Sequence, residues 1–110
     1  MTDKIVVFST CESREEAERL AEAVLEKRLA ACVNILAGVQ SVYHWQGQLE
    51  RSEEHLLMIK SSRKCFDQLR AVLSTVHSYE VPEVIAVGIV DGAESYLAWM
   101  DREMNLGKTD

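Results

Sequence analysis

Residues 31–61 read ACVNILAGVQSVYHWQGQLERSEEHLLMIKS, and this stretch decides the fold. It has no helical stripe and is rich in β-branched and aromatic residues, which is typical of extended strands. Gln46-Gly47 divides it and predicts a tight turn. The phase of the apolar residues slips at Gly38, and a glycine at a phase slip usually marks a β-bulge or a bend. The stretch is therefore predicted to form one long β-hairpin.

The segment before the hairpin predicts a strand followed by a helix. Residues Lys4 to Thr10 are a short β-branched run with polar ends, which is typical of a central strand. Ser13 and Glu16 then have the spacing of a capping box, with Ser13 as the N-cap. Apolar residues recur at helical spacing as far as about Leu29. The charged residues, Glu16 among them, are assigned to the opposite, solvent side.

The segment after the hairpin predicts a helix, a strand and a last helix. Ser61 or Ser62 can cap the first helix, which carries an apolar stripe up to Val76. Residues 84–90 are an apolar strand, and residues 91–92 turn the chain into a final helix over 93 to about 105. The order β-α-β-β-α-β, plus a C-terminal helix, specifies a ferredoxin-like α+β sandwich with both crossover helices on one face of an antiparallel sheet. Because there is no linker or repeat, residues 1–110 are predicted to form a single domain.

Composition and charge exclude several classes of protein. Of the 110 residues, 47% are hydrophobic and 27% charged, as in an ordinary globular domain. The 12 Lys and Arg against 18 Asp and Glu give a net charge of −6 and no basic patch, so neither nucleic acid nor an anionic membrane is expected as a partner. No apolar run reaches the roughly 20 residues that span a bilayer, and the first residues lack a basic leader. We therefore expect a cytoplasmic location.

The hairpin is predicted to be too long for its own domain. Each arm of about 12–16 residues would extend roughly 40–50 Å, whereas a domain of this size has a diameter of roughly 35 Å. The outer part carries Tyr43, His44 and Trp45, an aromatic patch beside unpaired strand edges. Docking onto a neighbouring chain would cover both, and head-to-tail contacts of this kind close into a ring. The alternative is that the chain bends at Gly38 and folds the arm back onto its own sheet.

The densest polar segment is His77-Ser78-Tyr79-Glu80-Val81-Pro82-Glu83, between the second helix and the last strand. Its imidazole, phenol and two carboxylates are the groups that a cation site or an acid/base pair needs. The alternative is a polar connector in which His77 lies favourably near the negative end of a helix.

The three cysteines are expected to be reduced, because they are far apart and form no C-x-x-C pair. Cys11 lies at the start of the first helix, where amide N–H groups can stabilise a thiolate, although an ordinary loop thiol is an equal alternative. A thiol and an imidazole suit copper or zinc, but a second chain or water would have to complete the shell. Cys32 and Cys65 are expected to be buried apolar residues. Lys60 is either an anion-binding residue of a cleft or a strand-end charge.

Templates for catalysis are missing from the sequence. It contains no G-x-S-x-G elbow, no P-loop and no G-x-G-x-x-G. A thiol nucleophile would need Cys11 beside His77, and no third residue that would orient the histidine is evident. The C-x-x-C of heavy-metal chaperones and the strand aromatics of RNA-binding domains are missing too. We therefore expect a protein that is not an enzyme.

Five motifs resemble those of the CutA family, which is named for divalent-cation tolerance. They follow in the family's order through nearly the whole chain: Glu26-Lys27-Arg28-Leu29-Ala30-Ala31-Cys32-Val33-Asn34, Tyr43-x-Trp45-x-Gly47-x-x-Glu50, Met58-Ile59-Lys60, His77-x-Tyr79-Glu80-x-Pro82-Glu83 and Tyr96-Leu97-x-Trp99. The resemblance implies a ferredoxin-like fold assembled as a tight homotrimer, binding of copper or another divalent cation, and a role in metal tolerance. The family trimer is similar to that of the PII signalling proteins, which implies small ligands in clefts between subunits.

The resemblance also implies the residues of the site, which are four metal ligands and four neighbours of the cleft: Cys11, His77, Glu80 and Glu83, then Trp45, Lys60, Tyr79 and Trp99. The chain departs from the family pattern at three places. Val76 precedes His77 where some members carry two adjacent histidines, and Ser78 stands where Pro often precedes the tyrosine. Cys11 lies one or two residues later than the first-loop thiol of some members. We therefore expect weak binding of copper or zinc.

The leading hypothesis is a non-enzymatic, homotrimeric metal-binding or metal-tolerance protein. One alternative is a PII-like sensor of a small ligand, in which Lys60 and backbone amides receive an anion. A second alternative is a structural or scaffolding trimer whose clefts are empty.

Overall fold

The structure is a computed structural model that describes residues 1–106. Its four strands form one antiparallel sheet in the order β2-β3-β1-β4. Three α-helices and a short 3-10 turn, Arg63–Cys65, complete the fold. The elements are β1 (Lys4–Cys11), α1 (Arg14–Glu26), β2 (Cys32–Trp45), β3 (Gln48–Ser62), α2 (Phe66–Val76), β4 (Ile85–Gly88) and α3 (Glu94–Glu103). The predicted element order and ferredoxin-like class are confirmed, while the last four residues of the predicted domain, 107–110, lie outside the described residues.

Helix α1 begins as predicted and ends earlier than predicted. The Ser13 hydroxyl accepts a hydrogen bond from the Glu16 N–H at 3.1 Å, which is the N-cap. The helix ends at Glu26 rather than near Leu29, because Arg28 adopts a left-handed φ of 58°. The Leu29 N–H then bonds the Val24 carbonyl, as in a Schellman motif, so the chain turns toward β2 with the last carbonyls satisfied.

The core lies between the helices and one face of the sheet. Side chains alternate along a strand, so one set of residues from β1 and β3 faces the helices. The largest fully buried side chains include Val7, Leu20, Leu57, Ile59, Leu69, Leu73 and Met100. Ser62 caps the 3-10 turn that leads into α2, with its hydroxyl accepting from the Lys64 N–H. Strand β4 is shorter than the predicted 84–90 because its ladder with β1 covers only Ile85–Gly88.

The hairpin contains both of the predicted irregularities. The β2–β3 register shifts between Leu36 and Val39, and Gly38 lies there with a φ of 79°, so the phase slip is a β-bulge. At the tip, Gln46 and Gly47 have φ values of 52° and 81°. Two consecutive positive φ values are typical of a primed turn, whose twist matches that of the flanking strands.

The hairpin arm projects from the body. The molecule measures 54 × 25 × 22 Å, and the 15 residues of β3 span roughly 50 Å at the usual rise per residue. Beyond the bulge, Val42 and Leu49 are 55% and 56% exposed, and Tyr43 and Trp45 are exposed as well. The alternative in which the chain folds the arm back onto its own sheet is therefore not the one observed.

Candidate functional site

A cleft of about 720 Å³ lies between the outer arm of the hairpin and the segment that follows α2. We call it the arm–loop cleft, and its lining residues come from the end of β1, the outer hairpin and residues 78–83. They are Thr10, Ser41, Val42, Tyr43, Trp45, Glu54, Ser78, Tyr79, Glu80, Val81 and Glu83. Three of these side chains are carboxylates, and none is a lysine, arginine or histidine. The cleft is therefore acidic.

The hairpin supplies its side of the cleft through strand alternation. Ser41, Tyr43 and Trp45 are two residues apart along β2, so their side chains leave the same face of the strand. Glu54 of β3 pairs with Val39, which is in phase with these residues, so its carboxylate lies on that face too. The bulge at Gly38 decides which side chains of outer β2 lie on this face. Its extra residue reverses the alternation of the outer part of β2 relative to the inner part.

Glu54 and Tyr79 join the two walls of the cleft. The Tyr79 hydroxyl donates a hydrogen bond of 2.7 Å to Glu54 Oε2, and Glu54 is only 5% exposed. Burial, together with this hydrogen bond to a carboxylate, raises the pKa of the Tyr79 phenol. The phenol therefore stays protonated and donates to Glu54 at every physiological pH.

Glu16 anchors the segment after α2 from below. The Ser78 N–H donates to Glu16 Oε2 at 2.7 Å, and the Ser78 hydroxyl donates to Oε1 at 3.0 Å. Glu16 is only 2% exposed, so its assignment to the solvent side of α1 is wrong. Its carboxylate satisfies donors 62 positions away in the sequence, which the local helical pattern does not show. The contact fixes where residues 79–83 enter the cleft.

His77 is buried, and both of its ring nitrogens are occupied. Nδ1 accepts a hydrogen bond from the Tyr79 N–H at 3.1 Å, and Nε2 lies 2.8 Å from the Thr10 carbonyl oxygen. Because the Thr10 carbonyl offers only an acceptor, the hydrogen of this bond is on Nε2. Nδ1 also lies 3.5 Å from Glu16 Oε2. His77 ties α2 to β1 and does not line the cleft.

Cys11 is fully buried and lies outside the cleft. Its thiol donates to the Ser13 carbonyl at 3.4 Å. Burial raises the pKa of Cys11 to about 11, and the nearby carboxylates of Glu16 and Glu54 act in the same direction. The expectation that the helix start stabilises a thiolate is therefore wrong at this position, because desolvation of the sulfur dominates.

The remaining predicted residues divide between the cleft and other places. Trp45, Tyr79, Glu80 and Glu83 all line the cleft, whereas Lys60 and Trp99 do not. Lys60 lies in the sheet opposite Val6 and Cys32, and its ammonium group bonds the Asn34 side chain. Trp99 lies on α3, with its ring 5.4 Å from that of Tyr96. Cys65 is buried as expected, while Cys32 is only half-buried.

The protomer by itself does not assemble the predicted metal centre. Cys11 and His77 have inward-facing partners, whereas Glu80 and Glu83 face the cleft. Within residues 1–106, no group of three or more His, Cys, Asp or Glu side chains is placed to hold a metal ion. A cation held by Glu80 and Glu83 would therefore need further ligands from water or another chain. The four-residue ligand set stays a prediction.

Two important residues of the site were not found from the sequence. Glu54 appears in the sequence as one of several charged residues of a strand, and Glu16 as part of a capping box. Their partners, Tyr79 and Ser78, are 25 and 62 positions away. The only local signal is the density of polar groups in 77–83, which implies that other elements supply their partners.

Fold and cleft together define a class of protein: a small ferredoxin-like α+β domain with a projecting hairpin and an acidic cleft at its base. The family model of the CutA1 divalent ion tolerance protein matches residues 5–103. The chain belongs to this family.

Individual relatives agree with this assignment. The divalent-cation tolerance protein CutA of Thermus thermophilus is 42% identical over 95 residues, which are 86% of this chain and 92% of the relative. The chloroplastic protein CutA of Arabidopsis thaliana is 42% identical over 87% of this chain, but the match spans only 53% of that relative. The solved structure of the periplasmic divalent cation tolerance protein CutA of Archaeoglobus fulgidus has a TM-score of 0.89 at 36% identity, over 92% of this chain and 98% of that one.

The family and the relatives from Thermus thermophilus and Archaeoglobus fulgidus are named for divalent-cation tolerance and not as enzymes. The locations in the names of the relatives differ, since one is chloroplastic and another periplasmic. In the part of the chain that the structure describes, no helix has the length and apolar character needed to cross a membrane.

Proposed function

We propose that the protein is a non-enzymatic, homotrimeric divalent-cation tolerance protein, with binding sites at clefts between its subunits. The observation that carries the proposal is the arm–loop cleft, whose lining includes three carboxylates and no basic side chain. Such a lining attracts cations and repels anions. The three reduced cysteines and the net negative charge favour the cytoplasm as its location, without nucleic acid or membrane as a partner.

Assembly is supported by the projecting hairpin. The outer arm exposes large apolar side chains, and the free face of the sheet exposes Leu36, Ile85 and Val87. Exposed apolar patches of this extent usually mark contact with another protein. Docking of each arm onto a neighbouring chain would cover them and close a ring.

Sedimentation equilibrium tests the assembly. We expect a mass of about 37 kDa, three times the 12.4 kDa of one chain. Replacing Trp45 and Leu49 by Ala should shift the mass toward one chain with the circular dichroism of the fold retained, whereas replacing the exposed Glu22 and Glu26 by Ala should not. A wild-type mass of one chain would contradict the proposal.

Cation binding is proposed for copper or another divalent ion at Glu80 and Glu83. Both carboxylates face the cleft, and carboxylate oxygen is an accepted ligand for divalent metals. Cys11 and His77 could join them only after their present hydrogen bonds open. Because the remaining ligands come from water or a second chain, the affinity should be weak.

Isothermal titration with copper, zinc and magnesium chloride tests the cation site. We expect saturable heat for copper or zinc with the wild type. The affinity of the E80Q/E83Q variant should be at least tenfold lower, which is a loss of about 1.4 kcal/mol or more in binding free energy. The E22Q/E26Q variant removes the same charge from exposed positions of α1 and should bind as the wild type does. Equal binding by all three proteins would contradict the site at Glu80 and Glu83, and the absence of heat would contradict it and favour the scaffolding trimer.

A small-ligand sensor is the second candidate, and the size of the cleft favours it. A volume of about 720 Å³ is within the range of pockets that bind small molecules. The form of this idea in which Lys60 receives an anion has less support, because Lys60 lies in the sheet and the cleft is acidic. A thermal-shift panel of nucleotides and carboxylates against metal chlorides separates the two candidates.

A further inference from the structure

We propose that the inner part of the arm–loop cleft binds an organic ammonium cation, held between aromatic rings and the carboxylate of Glu54. The ligand class is an alkylated or methylated amine. This goes beyond the proposed function, because the divalent ion is assigned to Glu80 and Glu83 and the ammonium group to Glu54 with Tyr43 and Tyr79. It requires the cleft and does not require the metal.

The charge of Glu54 is the first argument. Its side chain is 5% exposed, and within residues 1–106 no lysine, arginine or histidine forms a salt bridge with it. Its one hydrogen-bond partner there is the neutral Tyr79 hydroxyl, on Oε2. Buried carboxylates are normally paired with a cation, because desolvation of an unpaired charge is expensive. A cation in the cleft would supply the missing charge.

The aromatic walls are the second argument, and they are independent of the charge. The Tyr43 ring reaches back along the hairpin toward Glu54, since its hydroxyl lies 3.3 Å from the Ser52 hydroxyl, and Tyr79 comes from the other wall of the cleft. Trp45 lies six residues beyond Val39, the partner of Glu54, or roughly 20 Å further along the strand, and belongs to the outer end of the cleft. Rings of Trp and Tyr attract cations through their faces, and cages of such rings are a known way to bind alkylammonium groups. A small divalent metal ion gains less from such walls, since it keeps its water or takes oxygen ligands.

The third argument is the lining as a whole. Apart from its carboxylates the cleft contributes hydroxyls and apolar surface, including Val42 and Val81, and no basic side chain. Apolar methyl groups of a ligand would contact the aromatic and valine surfaces, while its positive charge would lie near Glu54. A carboxylate or phosphate ligand would meet three negative charges instead.

Titration with tetramethylammonium chloride in the presence of EDTA tests the inference without any metal. The readout is the heat of binding measured by isothermal titration calorimetry. We expect saturable binding by the ammonium ion and at least tenfold weaker binding by tert-butyl alcohol, which has a similar shape and no charge. Sodium chloride at equal ionic strength corrects for general screening.

Two variants test whether the charge of Glu54 itself is needed for ammonium binding. Glu54→Gln keeps an oxygen that can accept from the Tyr79 hydroxyl, so it should fold, but it should weaken ammonium binding at least tenfold. Glu53→Gln removes the same charge from the adjacent, exposed position and should leave binding unchanged. Equal binding by ion and alcohol, or an unaffected Glu54→Gln protein, would overturn the inference. Because Glu54→Gln should retain the heat of copper or zinc at Glu80 and Glu83, failure of the ammonium site and failure of the metal site are distinguishable.

Discussion

The two halves of the long hairpin are continuous along the same two strands, yet they differ in how they are held. Inside the bulge at Gly38, Leu57 and Ile59 are fully buried under the helices. Outside it, Val42 and Leu49 are more than half exposed, and the strands have only each other as neighbours in the sheet. A two-stranded ribbon alone is marginally stable in water.

This difference shows that one element can serve two purposes. The inner half stabilises the domain by burying apolar surface, whereas the outer half presents side chains to a ligand or a second chain. The link between them is the pair Glu54 and Tyr79, which joins the base of the outer arm to the segment after α2. Glu16 and His77 hold that segment in turn.

The largest effect should come from truncating the inner half. Leu57→Ala removes a fully buried side chain and should lower the free energy of unfolding by about 3 kcal/mol, through lost burial and a residual cavity. Leu49→Ala removes the same atoms in the outer half and should lower it by no more than about 1 kcal/mol. Urea denaturation at a protein concentration low enough to dissociate the assembly measures both. Equal losses there would break the comparison, because they would mean that the outer half is buried as deeply within one chain.

The next effect concerns the anchor of the cleft segment. Glu16→Ala leaves the N–H and hydroxyl of Ser78 without their acceptor and should lower the free energy of unfolding by about 2 kcal/mol. Glu22→Ala on the exposed side of the same helix should change it by less than about 0.5 kcal/mol. Amide hydrogen exchange at Ser78 should rise only in the first variant. Unchanged exchange would show that Glu16 does not hold the segment.

Substitutions in the turn at the hairpin tip should change the free energy of unfolding by smaller amounts and in opposite directions. A Cβ at Gly47 meets nothing within 4 Å, so Gly47→Ala acts only through its positive φ and should lower stability by about 1 kcal/mol. Gln46→Asn should raise it by about 0.5 kcal/mol, because Asn tolerates the left-handed conformation that Gln46 adopts. Thermal unfolding of both variants measures the pair. Two changes of the same sign would contradict a primed turn.

The last effect is absent near neutral pH and appears only in alkaline solution, as a pH dependence caused by Cys11 at the end of β1. The pKa of Cys11 rises from 9.0 to about 11 on folding, so the folded chain holds this proton more tightly than the unfolded chain. The stabilisation is complete below pH 9 and is lost as pH rises toward about 11. The free energy of unfolding should therefore fall over this range, and less so in Cys11→Ala. That variant can lower the whole curve through its cavity, so only an unchanged slope would contradict the prediction.

Most of the fold could be predicted from local sequence. The turn at Gln46-Gly47, the bulge at Gly38 and the cap at Ser13 are signalled by residues within a few positions of each feature, because backbone conformation is a local property. The helix boundary that was predicted wrongly also depends on the conformation of nearby residues. The end of α1 depends on a left-handed Arg28, a conformation that the sequence does not mark with the usual glycine.

Less of the site could be predicted. The chemical type and density of the polar groups point to Tyr79, Glu80 and Glu83, and the family resemblance points to Trp45; all four line the cleft. The states of Cys11 and His77 could not be predicted, because they depend on burial and on partners from other elements. Lys60 and Trp99 were placed near the cleft by resemblance, and their positions in the sheet and on α3 keep them out of its lining.

The sequence by itself determined the order of strands and helices, the long hairpin and the acidic character of the protein, because periodicity, turn residues and charge are written along the chain. Only the tertiary structure decided that Glu54 is buried opposite Tyr79, that Glu16 turns inward to Ser78, and that His77 is buried with Thr10 and Tyr79 as its partners. The physical reason is that desolvation and hydrogen-bond partners arise between residues that are distant in the chain and adjacent in space.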